Sequence, residues 1–461
     1  MGHIMAVVLA AGEGKRMKSQ NSKVIHKICG KALVEWVVDA ASSCGINESV
    51  IVVGHRQDQI RECLKDRVLY AVQDKQLGTG HAVMQAEKYL EGKEGHVIIL
   101  CGDTPLITSD TIDKTIKFHV ENKFGATVIT ADFEDPSGYG RIVRDGNGNV
   151  LKIVEDKDAG VEEKNIKEIN SGIYCFNIKD LLTSLKELNN NNVQGEYYLT
   201  DTLEIILKKG SKVGAVKISD PTEILGINDR VQLAKAGEII RNRILEMHMR
   251  AGVTLIDPKS VYIDYGVKIG MDTVIYPGSY IEMGSEIGEE AIIGPNSRVV
   301  GSTIGNNTQI NNSVIIDSTV GDSTHIGPFA YLRPGSKIGN NVKIGDFVEV
   351  KKSVIGDDTK VSHLTYIGDA EVGSNVNLGC GVVIVNYDGK NKNKTVIGDN
   401  AFVGCNVNLI SPVTVKNNAY VAAGSTITEE VPENSLAIAR SRQVNKEGWV
   451  DKKGMQRTKK K

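Results

Sequence analysis

The sequence predicts two domains of different class, an α/β domain followed by an all-β parallel helix of strands. Three observations carry this. Leu falls from 19 residues in 1–251 to 6 in 252–461, while Ile plus Val stays at 49 on each side. Leu favours helices and the β-branched residues favour strands. The first half alternates short apolar runs with helix-like stretches. The second half repeats an aliphatic residue every six positions.

In the first half Met5–Leu9, Val50–Val53, Val97–Leu100, Ala126–Thr130 and Ile173–Phe176 read as buried strands. Ala32–Cys44, His81–Leu90, Ser109–Glu121 and Leu199–Lys209 read as helices between them. Such alternation implies a mostly parallel sheet covered on both faces, which binds ligands beyond the carboxyl ends of its strands. Residues 229–250 form a charged helical pattern with a partial apolar stripe of Val231, Ala234, Ile239, Leu245 and Met249. This reads as a helical linker between a domain at 1–228 and one at 251–461; a last helix of the first domain is the alternative.

The repeat runs Ile269, Ile275, Ile281, Ile287, Ile293, Val299, slips by five to Ile304, and continues with occasional slips through Ile344, Val361, Leu378 and Ile384. It resumes at Ile397 and ends at Ile427. A period of six matches a β-helix in which three hexads make one triangular coil with each aliphatic residue inward. The span predicts roughly nine coils and a prism roughly 43 Å long. VNYDGKNKNKT, at 385–395, breaks the register and must leave the prism as a loop.

Composition narrows the function. The chain has 461 residues, 41% hydrophobic and 24% charged, with a formal net charge of −2. This describes a globular protein and argues against a nucleic-acid footprint. No apolar run approaches the roughly 18 residues of a membrane span, and the start lacks signal-peptide features. The seven Cys include no CxxC pair, so neither a zinc cluster nor a disulfide framework is indicated, and a cytoplasmic location is expected.

LAAGEGKRM follows the first strand and offers backbone N–H groups for phosphate oxygens, with Lys15, Arg16, Lys18 and Lys23 adding cations. It is not a Walker A loop. CGDTPL follows another strand, so Asp103 is placed to hold a hard cation, or simply to cap a turn. QLGTGHA is a further Gly-rich turn, and GYGR, Glu155 and Asn170 are polar residues near predicted strand ends. In the second half Arg333, Lys351 and Lys392 suit a sugar phosphate. His363, near Glu349 and these cations, has the pKa to take a proton from an amine at neutral pH.

LAAGEGKRM, Lys23, QLGTGHA, CGDTPL, GYGRI, IVEDKDA, EINSGIY and QGEYYLTD occur in the order found in sugar-nucleotidyltransferases. Together with the hexapeptide half, the whole chain resembles the bifunctional N-acetylglucosamine-1-phosphate uridyltransferase/glucosamine-1-phosphate N-acetyltransferase family. The resemblance implies a Rossmann-like first domain, a left-handed β-helix and a homotrimer. It implies Mg²⁺ on Asp103 and Asn228. Leu9, Ala10, Ala11, Gly12, Lys23, Gln73, Gly78 and Thr79 would contact the nucleotide of UTP, and Gly140, Glu155, Asn170 and Asn228 the sugar side. Arg16 and Lys23 would offset charge in the transfer.

For acetyl transfer the resemblance implies His363 as base with Glu349 supporting it. Arg333, Lys351, Tyr366, Asn377 and Lys392 would hold glucosamine-1-phosphate. Cys380, Asn386, Tyr387, Cys405, Ala423, Arg440 and Lys446 would line the acetyl-CoA site, the last two with the basic tail closing a neighbouring subunit's site. The chain departs from the family at Lys15 (usually Thr), Ser22 (usually Pro), Cys380 (usually Ala) and Cys405 (usually Ser). Lys15 is expected to add a cation by the triphosphate. A single-activity nucleotidyltransferase with a structural β-helix, and a noncatalytic regulatory subunit, are the alternatives.

Overall fold

The computed structural model describes residues 3–457 and divides into two compact units between Arg243 and Ile244. In the first unit seven strands lie in the order Val213–Lys217, Ala126–Asp132, Glu168–Asn177, His96–Cys101, Ile4–Ala10, Glu48–Val53 and Leu69–Val72. All run parallel except Glu168–Asn177, which is antiparallel to both neighbours. Arg141–Arg144 and Val150–Val154 extend the sheet as an antiparallel pair.

The apolar runs are continuous because both faces are covered. Met5 and Val7 enter one buried cluster, while Ala6, Val8 and Ala10 enter another on the opposite face. Helices Leu33–Ser43 and Ser109–Glu121 match the sequence pattern. The stretch read as one helix at 81–90 is two short ones, Thr79–Met84 and Glu87–Leu90.

Arg230–Arg250 is one helix, as the charged pattern predicts, but its buried face differs from the predicted stripe. Ala236, Ile240, Ile244, Leu245 and His248 are buried, whereas Val231 and Met249 are exposed. The buried set follows i, i+4, i+8 spacing, and only Leu245 is common to both. With so few apolar residues, the packing partner and not the local pattern selects the face.

The second unit contains three parallel sheets of 11, 10 and 9 strands, most strands only two residues long. Successive strands alternate among the sheets in threes, which fits a left-handed parallel β-helix. The stack starts at Thr254–Leu255 and ends at Leu436–Ala437, so it is longer at both ends than the repeat from 269 to 427. The first coil was hidden by a 3₁₀ turn, Pro258–Ser260, that separates Leu255 from Ile263 by more than a hexad. Eleven strands at about 4.8 Å give a length of roughly 48 Å.

Each hexad position has a physical reason. The aliphatic residue is buried, as at Ile304, Ile326 and Val361. Gly follows where backbones come closest: a Cβ on Gly305 or Gly321 would fall 2.6–2.7 Å from the carbonyl carbon of the Gly in the next coil. Next comes an Asn or Asp whose side-chain oxygen accepts from a backbone N–H one coil back. Asn306 N–H donates to Asp322, Asp322 N–H to Asn340, and Asn340 N–H to Asp357, at 2.7–2.8 Å. Charged and neutral members alternate here, which keeps like charges off adjacent coils. Buried Ser and Thr hydroxyls, such as Thr308 and Thr324, accept from backbone N–H groups in the following coil.

Residues 386–394 leave the prism as expected. Asp388 organises this loop by accepting from Lys390 N–H, Asn391 N–H and the Asn393 amide. These donors hold its carboxyl down at about 2. Residues 438–457 are exposed. The last four residues of the predicted basic tail lie outside the described residues.

Candidate active sites

The first site lies at the carboxyl ends of the parallel strands, where the topology leaves a crevice. Leu9, Ala10, Ala11, Gly12, Lys23, Gln73, Gly78, Thr79 and Asp103 all line one cleft of about 290 Å³. Val24, Gln76, Ala82, Cys101 and Glu196 complete the wall; all but Val24 lie in QLGTGHA, CGDTPL or QGEYYLTD. Gly14 takes a left-handed conformation, and a Cβ there would fall 2.6 Å from Lys23 Cβ. The Gly-rich turn thus gives Lys23 its path into the cleft.

Lys23 Nζ donates to Asp103 Oδ2 and, at 3.2 Å, to Asn228 Oδ1. One cation therefore sits between two oxygens from segments 80 and 205 residues away in sequence. Ser22 has φ −57° and ψ 143°, a backbone that proline also adopts. Its N–H donates to Gln59 Oε1 at 2.7 Å, a tether that proline lacks. This hydrogen bond replaces the rigid ring immediately before Lys23.

Two of the marked cations stand outside the cleft. Lys15 does not face the cleft: its ammonium pairs with Glu13 at 2.7 Å and its side chain is 86% exposed. The hydrogen bond from Lys15, and then its charge, draw the Glu13 carboxyl below the usual range. Arg16 is also exposed and does not line the cleft. Both lie in a 3₁₀ turn, Lys15–Met17, that buries only Met17.

Gly140, Glu155 and Asn170 form a second polar cluster. Asn170 N–H donates to Gly140 O at 2.8 Å. The Asn170 amide oxygen accepts from Gly172 N–H and from the buried Tyr174 hydroxyl. Glu155 accepts from Thr200, and burial raises its carboxyl pKa. Cys101 links the clusters, lining the cleft while its thiol donates to Gly172 O. Burial pushes that thiol up to about 12, so it is not a nucleophile.

On the prism, residues distant in sequence form columns, one per coil. Asp346 is in register with His363. Gly381 N–H donates to His363 O, Asn406 N–H to Cys380 O, and Gly424 N–H to Cys405 O. This edge carries Asp346, His363, Cys380, Cys405 and Ala423 in successive coils, with Arg440 beside Gly424.

His363 Nδ1 lies 2.6 Å from Asp346 Oδ1. The carboxylate expected beside His363, Glu349, instead takes Arg333 Nη1 at 2.9 Å. Glu349 belongs to the neighbouring sheet, in register with Tyr331 and Tyr366. The signal for Asp346 was present: it stands two residues after the inward Ile344, as His363 stands two after Val361.

A cation cluster occupies the adjacent face. Lys351 Nζ lies 3.2 Å from Asp369 Oδ2, which also accepts from the Asn386 amide. Lys392 lies over the Tyr387 ring at 5.1 Å. Neighbouring Lys351, then desolvation, lower the Lys392 pKa, and Arg333 adds to the effect. Arg333 and Lys351 each have a carboxylate partner, Glu349 and Asp369, and Lys392 is the surplus cation, so the cluster keeps a net positive charge that suits an anion. Tyr366 is in register with Glu349. Asn377 stands on another sheet, in register with Lys360 and Phe402, and Lys446 is exposed in the tail.

The chain matches the nucleotidyl transferase family over residues 5–221. It matches the bacterial transferase hexapeptide repeat over 266–301 and the GMPPB C-terminal domain over 317–437. It is 67% identical over 457 residues to the bifunctional protein GlmU of Acetivibrio thermocellus, covering 99% of both chains. The chain belongs to the bifunctional GlmU family. The GlmU protein of Caldanaerobacter subterraneus subsp. tengcongensis is 59% identical, over 98% of this chain and 99% of its own. That of Clostridium botulinum strain ATCC 19397 is 57% identical, with 98% coverage of both. These full-length matches to GlmU proteins join the cleft and the prism columns in one polypeptide.

Proposed function

We propose that the two sites divide two successive transfers between them. The chain is a bifunctional enzyme that makes UDP-N-acetylglucosamine, acetylating glucosamine-1-phosphate and then transferring uridylyl from UTP with release of pyrophosphate. The observation that carries the reading is the coexistence of a strand-end cleft holding Lys23, Asp103 and Asn228 with a prism whose edge holds His363 and whose adjacent face holds three cations.

In the cleft, the sugar phosphate oxygen attacks the α-phosphorus of UTP and pyrophosphate leaves. Such a transfer needs positioning and charge neutralisation more than a side-chain nucleophile. Leu9–Gly12, Gln73, Gly78 and Thr79 would seat the nucleotide, and Gly140, Glu155 and Asn170 the acetylated sugar. The oxygens of Asp103 and Asn228 already converge on one cation, the Lys23 ammonium, which supports their holding Mg²⁺. When bound, that ion would neutralise phosphate charge, with water and phosphate filling its remaining positions. Lys23 would then turn to the phosphates, and Arg16 would reach them from the exposed turn.

On the prism, Arg333, Lys351 and Lys392 would bind the phosphate of glucosamine-1-phosphate, with Tyr366 and Asn377 on its sugar. His363 would take the amine proton as nitrogen attacks the thioester. Cys380, Asn386, Tyr387, Cys405, Ala423, Arg440 and Lys446 would line the acetyl-CoA site. The exposed stacks Phe329–Phe347 and Phe402–Tyr420, with exposed Leu364 and Leu436, support side-by-side assembly as a homotrimer. A cytoplasmic location accords with this chemistry, and no described helix is long and apolar enough to cross a membrane.

The test is a pair of single substitutions read by two products. Asp103→Ala should abolish pyrophosphate release from UTP and N-acetylglucosamine-1-phosphate while sparing coenzyme A release. His363→Ala should reduce coenzyme A release by about 10²–10⁴-fold and leave uridylyl transfer intact. Loss of both activities in a folded Asp103→Ala protein would mean that one site serves both reactions.

A further inference from the structure

We propose that Asp346 is a positioning residue for acetyl transfer, fixing His363 with its proton on Nδ1 and its lone pair on Nε2. This rests on the reading of His363 as the base and names the atom that acts.

The first support is local architecture. Most strands of the prism are two residues long, but Lys343–Asp346 and Lys360–His363 each run four. Their pairing extends to Asp346 opposite His363. Gly345 permits this approach, since a Cβ there would fall 1.9 Å from Ser362 O. The coil is built to bring these two side chains together.

The second support is proton accounting. The hydrogen bond to His363 holds the Asp346 carboxyl below the ordinary range, and Lys343 adds to the effect. Asp346 is therefore an anion at neutral pH and has no proton to give. A contact of 2.6 Å between His363 Nδ1 and Asp346 Oδ1 then requires Nδ1 to donate. A neutral imidazole carries one ring proton, so Nε2 holds the free lone pair.

The step balances as follows. The amine nitrogen forms a bond to the thioester carbonyl carbon, and its proton passes to Nε2. The resulting imidazolium keeps its Nδ1 proton on Asp346, whose charge stabilises it. The C–S bond breaks as the carbonyl re-forms, and coenzyme A leaves as the thiol with the proton from Nε2.

Other charged and titratable groups frame the pair. Lys343 and Lys360 lie on the same strands, Cys380 on the next coil, and Arg333 with Glu349 on the adjacent sheet. Glu349 is committed to Arg333 at 2.9 Å, which leaves Asp346 as the carboxylate on Nδ1. The His363 side chain is 53% exposed and that of Asp346 37%, so water weakens their coupling.

The test uses the full-length protein with Asp346→Asn, which keeps the shape but removes the charge and the control over the tautomer. Coenzyme A release should fall about 10- to 100-fold in kcat, with KM for glucosamine-1-phosphate within about twofold. Asp346→Glu should recover part of the rate, and pyrophosphate release should not change. Nitrogen NMR of the unsubstituted protein should show His363 protonated at Nδ1. An unchanged rate, or a ring protonated at Nε2, would overturn the proposal. So would a loss of activity that follows loss of the folded assembly. If instead His363→Ala kept full coenzyme A release, the base reading itself would fail.

Discussion

The two sites are assembled in opposite ways. In the cleft, Lys23, Asp103 and Asn228 meet although 80 and 205 residues separate Lys23 from its partners. Crossover connections and sheet order decide that meeting, and nothing in the local spacing encodes it. On the prism, Asp346 and His363 meet because 17 residues make that coil. The difference teaches that a repeat fold turns position in sequence into position in space, whereas an α/β fold does not.

An inserted residue should break the comparison most sharply. One residue placed between Gln309 and Ile310 would turn the buried Ile310 outward and bring a polar side chain inward. This should cost several kcal/mol and lower the melting temperature by about 10 °C or more. One Gly placed after Lys390 lies in the loop outside the coils and should shift melting by about 1 °C at most. Differential scanning calorimetry of both variants checks this, and equal losses would show that the loop belongs to the prism's core.

Acid should separate the halves next. His119 is fully buried in the first unit, donating to or accepting from Thr127 and His96. Burial, then the neighbouring His96, lower its pKa to about 3. The unfolded chain titrates it near 6.5, so below that pH unfolding takes up a proton that the folded state refuses. Stability is fully present above pH ~6.5 and falls as pH drops toward about 3, by roughly 3 kcal/mol at pH 4. In the prism His325 and His363 are exposed. Uridylyl transfer should therefore be lost on acid incubation before the prism melts. A His119→Asn variant with the same acid midpoint would remove His119 as the cause.

The smallest effect concerns the edge column. Cys405 is exposed and Cys380 is half-buried. If both line the acetyl-CoA site, saturating acetyl-CoA should slow maleimide labelling of Cys405 several-fold, read by mass spectrometry. Uridine nucleotide should not slow it. Equal rates with and without acetyl-CoA would place the thioester elsewhere.

Much of the fold and many of the candidate site residues were legible in sequence, for reasons that differ by region. Most cleft residues sit in Gly-rich turns after strands, and they line one cavity because parallel strands end on one side of the sheet. The exceptions are informative. Arg16 and Lys15 shared the motif but not the cavity, since their turn buries only Met17. Glu349 lay nearest His363 among the marked carboxylates in sequence, yet it faces Arg333, because consecutive hexads lie on different sheets.

What the sequence determined by itself is periodic: the hexad, the inward aliphatic residue, the Gly at each close approach and the polar loop that leaves the stack. These follow from steric and burial rules that act within a few residues or one coil. Only the tertiary structure decided which face of Arg230–Arg250 is buried, that Lys23 lies between Asp103 and Asn228, and that Asp346 holds His363. Each depends on which surfaces meet after the chain has crossed over, and no local pattern carries that information.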